Sequence, residues 1–353
     1  MPPRKRKPEN RGLPTRWEHY HGAYYYRVPP GQEAAWDGKK RFRLGKTLPE
    51  AYRTWAERIT PRDEPSTIAD LLDRYALEVM PTKSPATQRG QAAGIERLRR
   101  VFGHMPIGAF KPQHAYQYRD KRGRTAPTAA NRELEILSHA FTKAIEWGAL
   151  EHHPMIEGKF RKLKRPPRTR YVEDWEIIEA LSLPSARRKG SVRMLQAYIR
   201  LKLLTGLRRT DLLRLRMSDL SDDGIHVTPS KTARSSGKRV IYEWTDELRA
   251  AVDECKAVRP VHISPWLFCN RRGECYVRDD GRANGFESMW QRFMARLLAE
   301  TEITERFQER DLRAKCATDA ESLEHARALL AHASDATTKR IYRRGPERVK
   351  PVR

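Results

Sequence analysis

The sequence predicts a multidomain, mainly α protein with small β elements: an N-terminal three-stranded-sheet module, a helical block, and a mixed α/β C-terminal region. Three observations predict it. Short aromatic and basic runs broken by turn residues open the chain, a long stretch with helical apolar spacing follows, and the helical C-terminal half is interrupted once by two alternating runs. With 353 residues, 39% hydrophobic and 33% charged, the chain can build two or three domains with cores of their own.

Residues 1–60 open with MPPRKRKPENR, which is positive but lacks the apolar segment of a signal peptide. WEHYHGAYYYRVPPG and KKRFRLG then read as strands, with Trp17, Tyr24 and Tyr26 in a small core, followed by a helix over 49–59. Arg16, Arg27, Lys39, Lys40, Arg41 and Arg43 interleave with these aromatics and give the sheet a basic side suited to a DNA groove.

The polar segment TPRDEPS, 60–66, reads as a linker. Over 67–158 the pattern is helical: Leu134, Leu137, Phe141 and Ile145 keep the period, and Gly148 stands where a C-cap glycine belongs. Between the apolar positions lie Arg89, Arg97, Lys111 and Arg119, charges of one sign that favour a DNA-facing bundle. KFRKLKRPPRTRY, 159–171, is a second linker; with Lys164 and Arg165 it is basic enough to track a phosphate backbone. The remainder, 172–353, is helical except for GIHVTPS and KRVIYEW, which pair as a hairpin over 224–244 with Lys231 near its turn.

A formal charge of +25 calls for a polyanionic partner, and nucleic acid is the obvious one. No apolar run approaches a membrane span, so the expected location is the cytoplasm. Cys255, Cys269, Cys275 and Cys316 form no CxxC pair, which reads as four reduced packing cysteines rather than a zinc site or disulfide framework. No glycine-rich phosphate loop occurs.

The stretch LKLLTGLRRTDLLRLR, 201–216, reads as a buried helix stopped by Gly206, then a helix capped by Thr210 with Leu212, Leu213 and Leu215 on its apolar side. Arg208 falls in the turn between them, where a guanidinium needs an anion. Asp211 reads as a helix cap or a partner for an arginine. Further on, ERDLRAKCAT and LLAHASDATTKRIY supply Arg310, Arg313 and His332, and Tyr342 is the only tyrosine after Tyr276. Arginines that grip non-bridging oxygens, a lysine able to protonate a leaving alkoxide and a phenol able to attack suit a phosphodiester. No metal is needed, in keeping with the lack of a compact acidic cluster in the sequence.

TGLRRTDLLRL, SKT on a hairpin, DLRAKCAT, LLAHAS and TTKRIY, in that order and spacing, resemble the catalytic domain of the tyrosine recombinases, particularly bacteriophage integrases. The sheet and the helical block look like the arm-binding and core-binding domains of the lambda-type integrases, so the resemblance covers essentially the whole chain. It implies an arm-type DNA-binding module at 1–60, a helical core-binding domain at 67–158, and a catalytic domain with a C-terminal tail at 172–353. It makes Arg208 and Arg313 the catalytic arginines, Lys231 the hairpin lysine, His332 the later histidine and Tyr342 the nucleophile. The implied activity is site-specific recombination through a 3′-phosphotyrosine, with no cofactor, metal or ATP. Its implied partners are double-stranded attachment sites, a homotetramer on DNA, a host DNA-bending protein and an excision directionality factor.

Two departures stand out. Most members carry histidine where this chain has Arg310, and arginine cannot serve as a base at neutral pH, so the proton acceptor for Tyr342 is unassigned. Tyr342 also follows His332 by ten positions, one more than in many members. A non-catalytic DNA-binding regulator on a recombinase scaffold and a type IB topoisomerase are the competing readings.

Overall fold

The computed structural model describes residues 10, 13–31, 33–58, 65–155, 160–164, 166, 168–231, 237–331, 338 and 344. The chain divides into two compact units, 1–165 and 166–353.

The first unit begins with an antiparallel sheet ordered β1 (Trp17–Tyr20), β2 (Ala23–Arg27), β3 (Arg41–Gly45). Strand alternation sends Trp17, Tyr26, Phe42 and Leu44 inward, where they meet Trp36 and, from α1 (Leu48–Arg58), Ala51 and Trp55. The partners Trp17↔Tyr26 and Tyr26↔Phe42 fix that register, and a bulge between Tyr24 and Tyr25 absorbs the one irregularity.

Four helices follow: α2 (Ile68–Arg74), α3 (Pro85–Phe102), α4 (Pro112–Gly123) and α5 (Pro127–Glu146). Thr67 starts α2 with a reciprocal cap, its hydroxyl accepting from the Asp70 N–H while the Asp70 carboxylate accepts from the Thr67 N–H at 3.0 Å. On α5, Leu134, Leu137 and Phe141 are buried as their spacing predicts, but Ile145 is 36% exposed. Ala144 closes the stripe instead, one position back on the turn where the helix ends, and Gly148 follows in the left-handed region at φ 77°.

In the second unit, α6 (Asp174–Ser182) leads to the central helix α7 (Ser191–Thr205), followed by α8 (Arg209–Leu213), β4 (Gly224–Val227), β5 (Val240–Glu243) and α9 (Asp246–Ala257). Then come α10 (Asn284–Glu300), α11 (Glu309–Asp319) and α12 (Leu323–Leu329). Leu195, Tyr198, Ile199 and Leu201 make α7 apolar nearly all round, as befits a helix packed by α9, α10 and α11. Strands β4 and β5 pair antiparallel, Gly224 opposite Glu243 and Val227 opposite Val240, within the expected hairpin. All four cysteines are free thiols, three of them buried.

Candidate functional site

The geometry starts at one glycine. Gly206 ends α7 in the left-handed conformation, φ 58°, with its N–H on the Lys202 carbonyl at 2.8 Å. A Cβ there would stand 2.8 Å from Leu330 and 3.0 Å from the Cys316 sulfur, so the turn lies directly against α11 and the segment after α12. Two residues on, Arg208 is extended (φ −64°, ψ 146°) and its carbonyl accepts the Leu212 N–H at 2.8 Å. The N-cap of α8 is therefore Arg208, and the expected cap at Thr210 is corrected: helical hydrogen bonding begins two residues earlier, leaving Thr210 inside the first turn. As N-cap, Arg208 stands at the mouth of the turn with its side chain 23% exposed, and Asp211 comes only to 3.9 Å of its guanidinium.

Asp211 has a second task. Its Oδ1 accepts the Ser230 N–H at 3.0 Å, tying α8 to the turn that carries Lys231, whose side chain is exposed. The structural role expected for Asp211 is thus a brace from α8 to the hairpin.

Arg313 approaches from α11 and is 4% exposed. Its Nη1 donates to the Gly206 carbonyl and its Nη2 to the Leu330 carbonyl at 2.8 Å. Arg310, one turn earlier on the same helix, is exposed. Arg208, Lys231 and Arg313 are thus joined through Gly206 and Asp211, with Arg310 on the helix of Arg313. His332 and Tyr342, and the linker residue Arg165, lie outside the described residues.

Beneath the turn is a buried polar network the sequence reading missed. Lys202 is 1% exposed and bonds Glu309, which also accepts the Tyr198 hydroxyl at 2.6 Å. Burial holds the Lys202 ammonium below its usual range while Glu309 pulls it back up. Burial pushes the Cys316 thiol up to about 11, so it stays protonated and packs as an apolar group. Helical spacing cannot reveal such a network, because Lys202 and Glu309 are 107 positions apart.

The candidate DNA contacts of the first unit divide by environment. On the outer face of the sheet, Arg27, Lys39, Lys40, Arg41 and Arg43 are exposed, as is Arg16. Glu18 neutralises part of this face, pairing with Arg27 at 2.8 Å and Arg41 at 2.5 Å, and Arg41 lies 4.5 Å over the rings of both Tyr20 and Tyr25. Arg89 and Lys111 of the helical block are exposed, as is Lys164 beyond it. Arg97 instead reaches Glu133 at 3.4 Å, and Arg119 stacks on Tyr116 and donates to the Arg161 carbonyl. In the second linker, Arg168 and Arg170 take carboxylate partners, Asp311 and Glu176.

Residues 177–347 match the phage integrase family. The match falls within the second of the two compact units. The chain as a whole has the lambda-type fold. It superposes on a lambda integrase crystallised as a tetramer bound to a Holliday junction with a TM-score of 0.63, at 20% identity, covering 98% of this chain and 99% of that one. A lambda integrase dimer bound to a COC′ core site gives 0.61, also at 20% identity, with 98% and 99% covered. The Tn1549 transposon integrase in complex with a circular intermediate DNA gives 0.60, at 16% identity, over 77% of this chain and 94% of that one. No curated protein sequence matches the chain.

Proposed function

We propose that this protein is a site-specific DNA recombinase that cuts and rejoins attachment-site DNA with Tyr342 as nucleophile. The observation that carries the reading is the Gly206 turn: Arg313 is bonded to its carbonyl, Arg208 leaves it two residues later, and Asp211 ties the same element to the turn of Lys231. Two arginines and a lysine carried by connected elements of a +25 chain suit a phosphodiester.

In the reaction, Arg208 and Arg313 hold the non-bridging oxygens of the scissile phosphate. The Tyr342 oxygen attacks phosphorus and gives its proton to solvent, the bond to the 5′ oxygen breaks, and Lys231 supplies the proton that makes a 5′-hydroxyl. The product is a 3′-phosphotyrosyl ester that conserves the bond for rejoining, so neither ATP nor metal enters. Arg310 contributes charge at the phosphate and favours the phenolate of Tyr342 electrostatically. The sheet of residues 1–60 addresses a separate arm site through its exposed arginines, the helices of 67–158 hold the core site, and four protomers assemble on the DNA in the host cytoplasm. A DNA-bending protein and a directionality factor are fitting accessories.

A suicide substrate resolved on a denaturing gel tests this. Wild type should become covalently attached and Tyr342→Phe should not, while both bind the site. An adduct with the Phe variant would reassign the nucleophile. Arg310 favours one second reading, a DNA-binding regulator that has lost cleavage. A wild-type chain that binds without cutting, with Arg310→His restoring the adduct, would establish it.

A further inference from the structure

Asp311 lies on α11 between Arg310 and Arg313, and its side chain is completely buried. Such a carboxylate must be saturated with donors. Arg168 grips it with two nitrogens, Nε at 2.8 Å from Oδ1 and Nη2 at 2.7 Å from Oδ2, and the Gln308 N–H adds a bond at 2.8 Å. The remaining donor comes from the far end of the chain: Arg344 Nη1 reaches Oδ1 at 2.7 Å. The same nitrogen donates to the Arg170 carbonyl at 3.0 Å, and the Arg344 N–H donates to the Thr318 hydroxyl at 2.9 Å. With its side chain 8% exposed, Arg344 is plugged into α11 by side chain and backbone together.

Arg344 is two positions beyond Tyr342 in the chain, and two steps of the backbone span at most about 7 Å between Cα atoms. Anchoring Arg344 on α11 thus sets how far the Tyr342 backbone can stray from the helix that carries Arg310 and Arg313. We propose that Arg344 is a positioning residue: its bond to Asp311 fixes the chain just beyond the nucleophile and so holds Tyr342 within reach of the arginines of its own protomer. This inference rests on Tyr342 being the nucleophile. It assigns Asp311 a purpose that its neighbours Arg310 and Arg313 do not share, since Asp311 is fully buried and turned to the linker and the tail.

The experiment compares wild type, Arg344→Ala, Arg344→Lys and Lys231→Ala in full-length protein, measuring core-site binding by gel shift and the rate of covalent attachment to a suicide substrate. Arg344→Ala should bind the site like wild type and form the adduct about tenfold to a hundredfold more slowly, the scale of a misplaced reactant. Arg344→Lys, which keeps a cation for Asp311, should recover most of the rate. A substrate with sulfur at the 5′ bridging position needs no proton for its leaving group; it should restore Lys231→Ala and leave Arg344→Ala slow. Wild-type adduct rates in Arg344→Ala, rescue of that variant by the sulfur substrate, or a parallel loss of site binding would each overturn the proposal. If wild type forms no adduct, or Tyr342→Phe still does, the nucleophile assignment fails first and takes this inference with it.

Discussion

The arginines around Glu133 and the arginine at the Gly206 turn are one residue type put to opposite uses. In the helical bundle a single buried carboxylate collects Arg122 at 3.2 Å, Arg97 at 3.4 Å and the Tyr118 hydroxyl at 2.7 Å, so its charge is spent inside the fold. Arg208 has its carboxylate at 3.9 Å, beyond a hydrogen bond, and that carboxylate is itself held by the Ser230 N–H. A guanidinium kept short of its intramolecular partner is available to an external anion. Net charge alone therefore does not say which surface cations are open to an external anion.

Breaking the unsatisfied side of this comparison should have the largest effect. Arg208→Ala should lower cleavage by on the order of a hundredfold or more, as when one transition-state donor is removed, with little change in melting temperature. Arg313→Ala should lose cleavage comparably and also melt earlier, because its two backbone acceptors are orphaned. Single-turnover cleavage beside thermal denaturation separates the two. Equal thermal losses in both variants would erase the distinction drawn between them.

Next comes the turn itself. Gly206→Ala forces a side chain into the left-handed region and against Leu330 and Cys316, a strain of about 1–2 kcal/mol before any clash. Cleavage should fall more than core-site binding does, since Arg208 and the Arg313 acceptor move together. On the satisfied side, Glu133→Gln should cost about 1–3 kcal/mol in urea unfolding while leaving the cleavage rate of folded protein unchanged. A cleavage defect there would mean the bundle carboxylate also orders the DNA contacts.

The smallest expected effect is a null with pH. Burial raises the Asp311 pKa, but the bonds from Arg168, the Gln308 N–H and Arg344 outweigh it, so the carboxyl sits below its usual 3.8. A depressed carboxyl contributes stability above the unfolded value and loses it as pH falls through the lower folded value. Across roughly pH 5 to 8 the Asp311 anchor should stay ionised, and the ratio of wild-type to Arg344→Ala adduct rates should be constant. A ratio that drifts with pH would place another titrating group at the anchor.

What the sequence disclosed was local. Gly206 as a stop, Leu212 and Leu213 as a buried face, and the hairpin around Lys231 all follow from neighbours within a turn or a strand pair. The Thr210 cap was misplaced for a reason equally local: a threonine announces a cap by its side chain, whereas Arg208 fills the position by backbone alone. Ile145 fits the period as well as Ala144 does, and only the approaching helix end decides between them. The long-range pairs left no trace. Arg168 and Asp311 are 143 positions apart, and in sequence Arg168 is one more cation in a basic linker. Tyr342 is proposed as nucleophile on motif order alone, and it lies outside the described residues.

Cys316 gives the Gly206 turn a clock. Its sulfur would lie 3.0 Å from a Cβ on that glycine, and its thiol is buried, whereas Cys275 is half-buried on a β-bridge to Cys269. A thiol reagent reaches the buried Cys316 when the packing around α11 opens, so its labelling rate counts openings next to the contact that holds Arg313 to the turn. Cys275, reacting earlier, supplies an internal reference on the same molecule. If site-specific DNA clamps the two helices, it should slow the Cys316 signal selectively, turning a packing residue into a reporter of how often the unliganded protein falls out of register.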